Sequence, residues 1–94
     1  MNTSLLKKYL DEEGKVTIYP SKSKNKMLIV EYLASKFELD RSYTEKEVNE
    51  ILKQYHTFND WALLRKDLFE AEFLGRSSNG SVYWKIECLK FNLQ

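Results

Sequence analysis

Tyr43-Thr44-Glu45-Lys46-Glu47-Val48-Asn49-Glu50-Ile51-Leu52 is the stretch on which the fold turns. Thr44 followed three residues later by Glu47 is a capping box: the hydroxyl takes one orphan amide of the first helical turn and the carboxylate takes another. Tyr43 stands where it can staple onto Val48. Val48, Ile51, Leu52 and Tyr55 then recur at i, i+3, i+4 and i+7, which gives one apolar helical face. His56-Thr57-Phe58-Asn59 breaks this period and reads as a corner, with Asn59 or Asp60 as the next cap. From Trp61 a second face follows, made of Trp61, Leu64, Leu68 and Ala71 and widened by Leu63 and Phe69. Lys66, Asp67 and Glu70 point away from it. Two amphipathic helices joined by a short corner have the organisation of a helix-turn-helix.

On the C-terminal side, Asn79-Gly80 between two apolar runs is a strong hairpin signal. A two-residue turn there sets Ser78 opposite Ser81, Ser77 opposite Val82, Arg76 opposite Tyr83 and Gly75 opposite Trp84. Phe73, Val82, Trp84 and Ile86 then share one face, and the bare Gly75 leaves room for an indole. Arg76 and Tyr83 share the other, where a guanidinium can stack on the ring. On the N-terminal side, residues 23–37 read as a helix with Ile29, Val30, Leu33 and Phe37 in one stripe, followed by a polar connection over 38–42. Lys15-Val16-Thr17-Ile18-Tyr19 alternates and stops at Pro20, so it reads as a short strand. Leu5, Leu6, Tyr9 and Leu10 give the first ten residues helical spacing, and Gly14 suits the exit. Residues 87–94, with Cys88, Phe91 and Leu93, alternate too imperfectly to assign. The order predicts one α+β domain over residues 1–94: a winged helix-turn-helix (strand, three helices, β-hairpin wing) with an extra N-terminal helix.

Composition agrees with a single packed unit. Ninety-four residues, 43% of them hydrophobic and 14% aromatic, are enough to bury about 65% of the chain's surface. No apolar run approaches the roughly 20 residues that cross a bilayer. A single cysteine, Cys88, forms no internal disulfide, so a reducing cytoplasm is the expected location. The net charge of +1 is unevenly spread: residues 15–36 carry a local balance of +4, residues 37–72 one of −4, and residues 73–94 one of +2.

The residues also carry a resemblance. Phe37, the run Tyr43 to Leu52, the run Asp60-Trp61-Ala62-Leu63-Leu64-Arg65-Lys66-Asp67-Leu68, Arg76 and Gly80-Ser81-Val82-Tyr83-Trp84 resemble the domain family of unknown function 2087. With the lead-in containing Pro20 and Lys22, the similarity covers about residues 10–86. Lys66 departs from the family pattern, which favours a second arginine there. The resemblance implies a small bacterial domain that occurs alone or appended to transcriptional regulators, and it brings no established chemistry.

Three classes of function compete. Enzymatic chemistry finds little support: His56 and Cys88 lie in different elements, and no phosphate loop, nucleophile elbow or metal-ligand spacing is present, so no catalyst, cofactor, metal site or small-molecule ligand is expected. Double-stranded DNA is the first expectation. Lys22, Lys24 and Lys26 cluster at a helix start, Lys66 lies on the helix in the recognition position, and Arg76 and Lys85 flank the hairpin. Asp60, Asp67, Glu70 and Glu72 oppose that expectation, and Arg65 is expected to be tied to a carboxylate, with Glu47 the candidate. The alternative is a protein-interaction or dimerisation module, contacting a regulatory protein or a second copy, because two Trp, six Tyr and five Phe are many for this length.

Overall fold

The computed structural model describes residues 3–86, and the expectations for Cys88, Phe91 and Leu93 fall outside them. In chain order the elements are α1 (Thr3–Lys7), α2 (Ser23–Ala34), β1 (Ser42–Thr44), α3 (Glu45–Lys53), α4 (Trp61–Glu70), β2 (Leu74–Arg76) and β3 (Val82–Lys85). This is an α+β arrangement in which the last strand lies in the middle of an antiparallel sheet of order β1-β3-β2.

Helix α3 begins where its sequence requires. Thr44 accepts the Glu47 amide at 3.1 Å and Glu47 accepts the Thr44 amide at 2.8 Å, closing the capping box. Asp60, not Asn59, caps α4 by accepting from the Leu63 amide. Asn59 instead takes the left-handed backbone of the corner, at φ 57°. Helix α4 ends in a Schellman motif: the Phe73 amide bonds Leu68 carbonyl and the Glu72 amide bonds Phe69 carbonyl, with Glu72 at φ 65°. Val48, Leu52, Leu64 and Leu68 are fully buried, joined by Ile29, Leu33, Phe37 and Tyr43. Each such side chain contributes about 1.5–3 kcal/mol by leaving water.

The sheet corrects two expectations. Residues 15–19 form no strand of it. Val16 makes only isolated bridges, to Leu10 on one side and His56 on the other, because its backbone bonds go to the Tyr55 carbonyl and the Thr57 amide. The sheet's first strand lies at Ser42–Thr44, where the sequence reads as the end of a polar connection, a staple residue and a helix cap. Only Tyr43 of its three residues is buried, so the strand is specified by its partner β3 more than by its own pattern. The expected order of strand then three helices therefore becomes helix, strand, two helices.

The hairpin keeps its expected register, with Gly75 opposite Trp84 and Arg76 opposite Tyr83. A β-carbon at Gly75 would lie 2.5 Å from the indole, so the glycine is required for the close approach of Trp84. The turn itself differs. Ser77 and Val82 remain bonded, the Gly80 amide bonds Ser77 carbonyl, and Asn79 is not left-handed, so Ser78 to Ser81 form a four-residue connection. Lengthening the loop by one residue on each side leaves the register unchanged. Tyr83 and Leu74 face the core, whereas Val82 and Trp84 lie on the outer face, 37% and 42% exposed.

Candidate nucleic-acid interface

The corner between α3 and α4 is locked by His56. Its Nε2 accepts the Asp60 amide at 2.9 Å, so Nδ1 carries the ring proton and donates to the Leu52 carbonyl at 2.6 Å. The ring is buried and lies edge-on to Phe58, with centroids 4.7 Å apart. The only histidine of the chain thus ties the last turn of α3 to the cap of α4, a structural role.

The arm before α2 braces the same corner from outside. Tyr19 stacks on Phe58, and its hydroxyl donates to Asp67 Oδ2 at 2.6 Å. Burial, then the hydrogen bond to Asp67 and its negative charge, raise the Tyr19 phenol well above its ordinary range and keep it a donor. Asp67 therefore does not point freely away from α4, because it anchors the arm.

Between α4 and the hairpin runs a groove of about 310 Å³ lined by Glu45, Arg65, Lys66, Phe69, Glu70, Arg76 and Tyr83. Arg65 donates to Asn49 Oδ1 on α3, not to Glu47, whose carboxylate is taken by the capping box. The Arg76 guanidinium lies over the Phe69 ring at 4.7 Å, not over Tyr83, whose ring is drawn into the core. Lys66 pairs loosely with Glu70 across 4.0 Å. A second cleft, where the first turns of α2 meet the end of α4, is lined in part by Lys26, Met27, Asp67 and again Glu70.

The structure thus brings Lys66 and Arg76 together, with Arg65 added, and sets Lys26 in the adjoining cleft. Lys22 and Lys24 are exposed at the start of α2, whereas Lys26 is half-buried with its ammonium 5.4 Å from the Tyr19 ring. Lys85 is not part of the groove: it pairs with Leu74 at the end of β3 far from the hairpin tip. Glu70 lines both the groove and the cleft and so sets a negative charge between their basic groups. At the tip, Asn79 Oδ1 accepts from the Ser77 and Ser81 hydroxyls and the Ser81 amide, so these small polar groups satisfy one another.

A family model described as an uncharacterized protein conserved in bacteria matches residues 15–85. The chain belongs to the DUF2087 family. No curated protein and no solved structure matches it. The DUF2087 match begins at the arm and ends at Lys85, so it takes in the His56 corner and every residue of the groove, and leaves α1 outside. No helix among the described residues is long and apolar enough to cross a membrane.

Sequence reasoning on this DUF2087 chain missed three contacts: Arg65 with Asn49, Arg76 with Phe69, and Tyr19 with Asp67. Asn49 alone left a usable signal, since a polar residue one position beyond Val48 borders the apolar face of its helix and can meet the next helix. The other two pairs join elements whose packing no local pattern encodes.

Proposed function

We propose that this domain is a winged-helix-like module of bacterial transcription regulation that binds duplex DNA. The observation that carries the reading is the groove between α4 and the hairpin, where Arg65, Lys66 and Arg76 converge beside the α3–α4 pair. The sheet order β1-β3-β2, with α3 and α4 inserted between its first two strands in the chain, supports α4 as the recognition helix and the β2–β3 hairpin as the wing. Lys22 and Lys24 supply two further phosphate contacts at the start of α2, and Lys26 borders them. Glu45 and Glu70 lower the groove's net charge, which suits a protein that must not adhere to every polyanion.

The test is a titration of a labelled random-sequence duplex at several salt concentrations. Three or four phosphate contacts give log K falling against log salt with a slope of roughly −3. A flat response, or no binding at low salt, overturns the reading. The exposed Val82 and Trp84 on the outer sheet face favour the second reading, a protein-interaction module, in which case DNA gives no signal and these two residues are covered by a partner.

A further inference from the structure

The chain has three arginines, and they are held in two different ways. Arg41 lies over the Tyr43 ring at 4.5 Å with the Glu38 carboxylate 3.7 Å away, so a counter-charge stands beside it. Arg65 and Arg76 form no ion pair with any described carboxylate. Arg65 is oriented by a neutral amide, the Oδ1 of Asn49, which occupies one of the guanidinium's five N–H donors. Arg76 is oriented by an aromatic face, which uses the plane of the guanidinium and leaves its edge donors. Its Nη1 also reaches the hairpin tip, where a β-carbon on Gly80 would lie 3.7 Å away. Both arginines open into the same groove.

We infer that Arg65 and Arg76 form a preorganised clamp for a phosphate group, with Asn49 and Phe69 as its positioning residues. The physical reason lies in the choice of uncharged partners. A carboxylate would fix a guanidinium equally well but would neutralise it, whereas an amide or a ring fixes it at full charge. Holding the side chain in advance removes the rotamer cost that a free arginine pays on binding. Planar forks matched to phosphate oxygens are the recognition mode such a pair supports. Lys66, engaged by Glu70, and Glu45 flank the clamp without entering either arrangement. The inference deepens the DNA reading and rests on it for the source of the phosphate, a phosphodiester of the duplex.

Asn49→Asp is the decisive variant, because it keeps the shape of the partner and adds the neutralising charge. The full chain carrying it should keep its melting temperature, bind the duplex about eightfold more weakly at ~0.1 M salt, and lose about one unit from the magnitude of its salt slope. Asn49→Ala, which frees Arg65 without neutralising it, should weaken binding while leaving the slope unchanged. A merely structural Asn49 would not move the slope in one variant and spare it in the other. Should Asn49→Asp bind with wild-type affinity and slope, the clamp is refuted while the DNA reading stands. If the wild type binds no duplex, that reading falls, and titration with inorganic pyrophosphate, followed through the arginine Nε–H resonances, decides the clamp by itself. Saturable shifts at Arg65 and Arg76 with Arg41 unmoved support a free phosphate source. Shifts at all three, or at none, overturn it.

Discussion

Replacing His56 by alanine should lower the stability of the domain by about 3 kcal/mol, read as a drop in the urea midpoint at unchanged slope. The imidazole makes two buried hydrogen bonds to main-chain groups of different elements, the Leu52 carbonyl and the Asp60 amide. Truncation leaves both without their partner, and each unmade buried bond costs about 1–3 kcal/mol. It also removes the ring from its edge-on contact with Phe58, which stacks in turn on Tyr19. His56→Phe separates these contributions, since it keeps a ring and deletes both nitrogens; about two thirds of the loss should remain. A change within ~0.5 kcal/mol for alanine would mean that the corner is held by apolar packing alone. The effect reaches function because Asp60 is the cap of α4, and α4 supplies Arg65, Lys66 and Phe69 to the groove.

The double substitution Lys22→Gln with Lys24→Gln should weaken duplex binding about sixty-fold at ~0.1 M salt, with the magnitude of the salt slope falling by about 1.8. Both lysines are exposed, at the cap and in the first turn of α2, and neither pairs with a described carboxylate, so the exchange should leave stability within ~0.5 kcal/mol. Lys26 is a poorer choice for this experiment, because its stem is half-buried beside Tyr19 and its loss would disturb packing as well as charge. Unchanged affinity on neutralising both lysines would confine the interface to α4 and the hairpin.

The sequence revealed those parts of the molecule whose determinants lie within a turn or two of one another. The Thr44–Glu47 box, the stripe from Val48 to Tyr55 and the Gly75–Trp84 register all follow from local spacing, and each forms, whereas spacing leaves Asn59 and Asp60 both open as the cap that Asp60 provides. Strand β1 was hidden because three residues with one buried tyrosine carry no period, and its hydrogen bonds come from a strand some forty residues later. The false strand at 15–19 alternates convincingly, yet Val16 finds only single bridges, and Tyr19 goes to Asp67 rather than into a sheet. Of the candidate DNA contacts, composition located the lysines at the start of α2 and the arginine of the hairpin. It could not show that Glu47 is consumed by its own cap, which leaves Arg65 to a neutral partner. Nor could it place Lys85 at the wrong end of its strand to join the others.

In the proposed complex, duplex DNA lies along α4, the hairpin and the start of α2. The most direct measurement is a map of backbone amide shifts in the ¹⁵N-labelled chain on addition of a short duplex. The largest shifts should fall at residues 22–26, 59–70 and 76–81, with the arm at 15–18 and the loop at 35–40 quiet. Shifts centred on Trp84 and the outer sheet face, or no shifts at low salt, would contradict it.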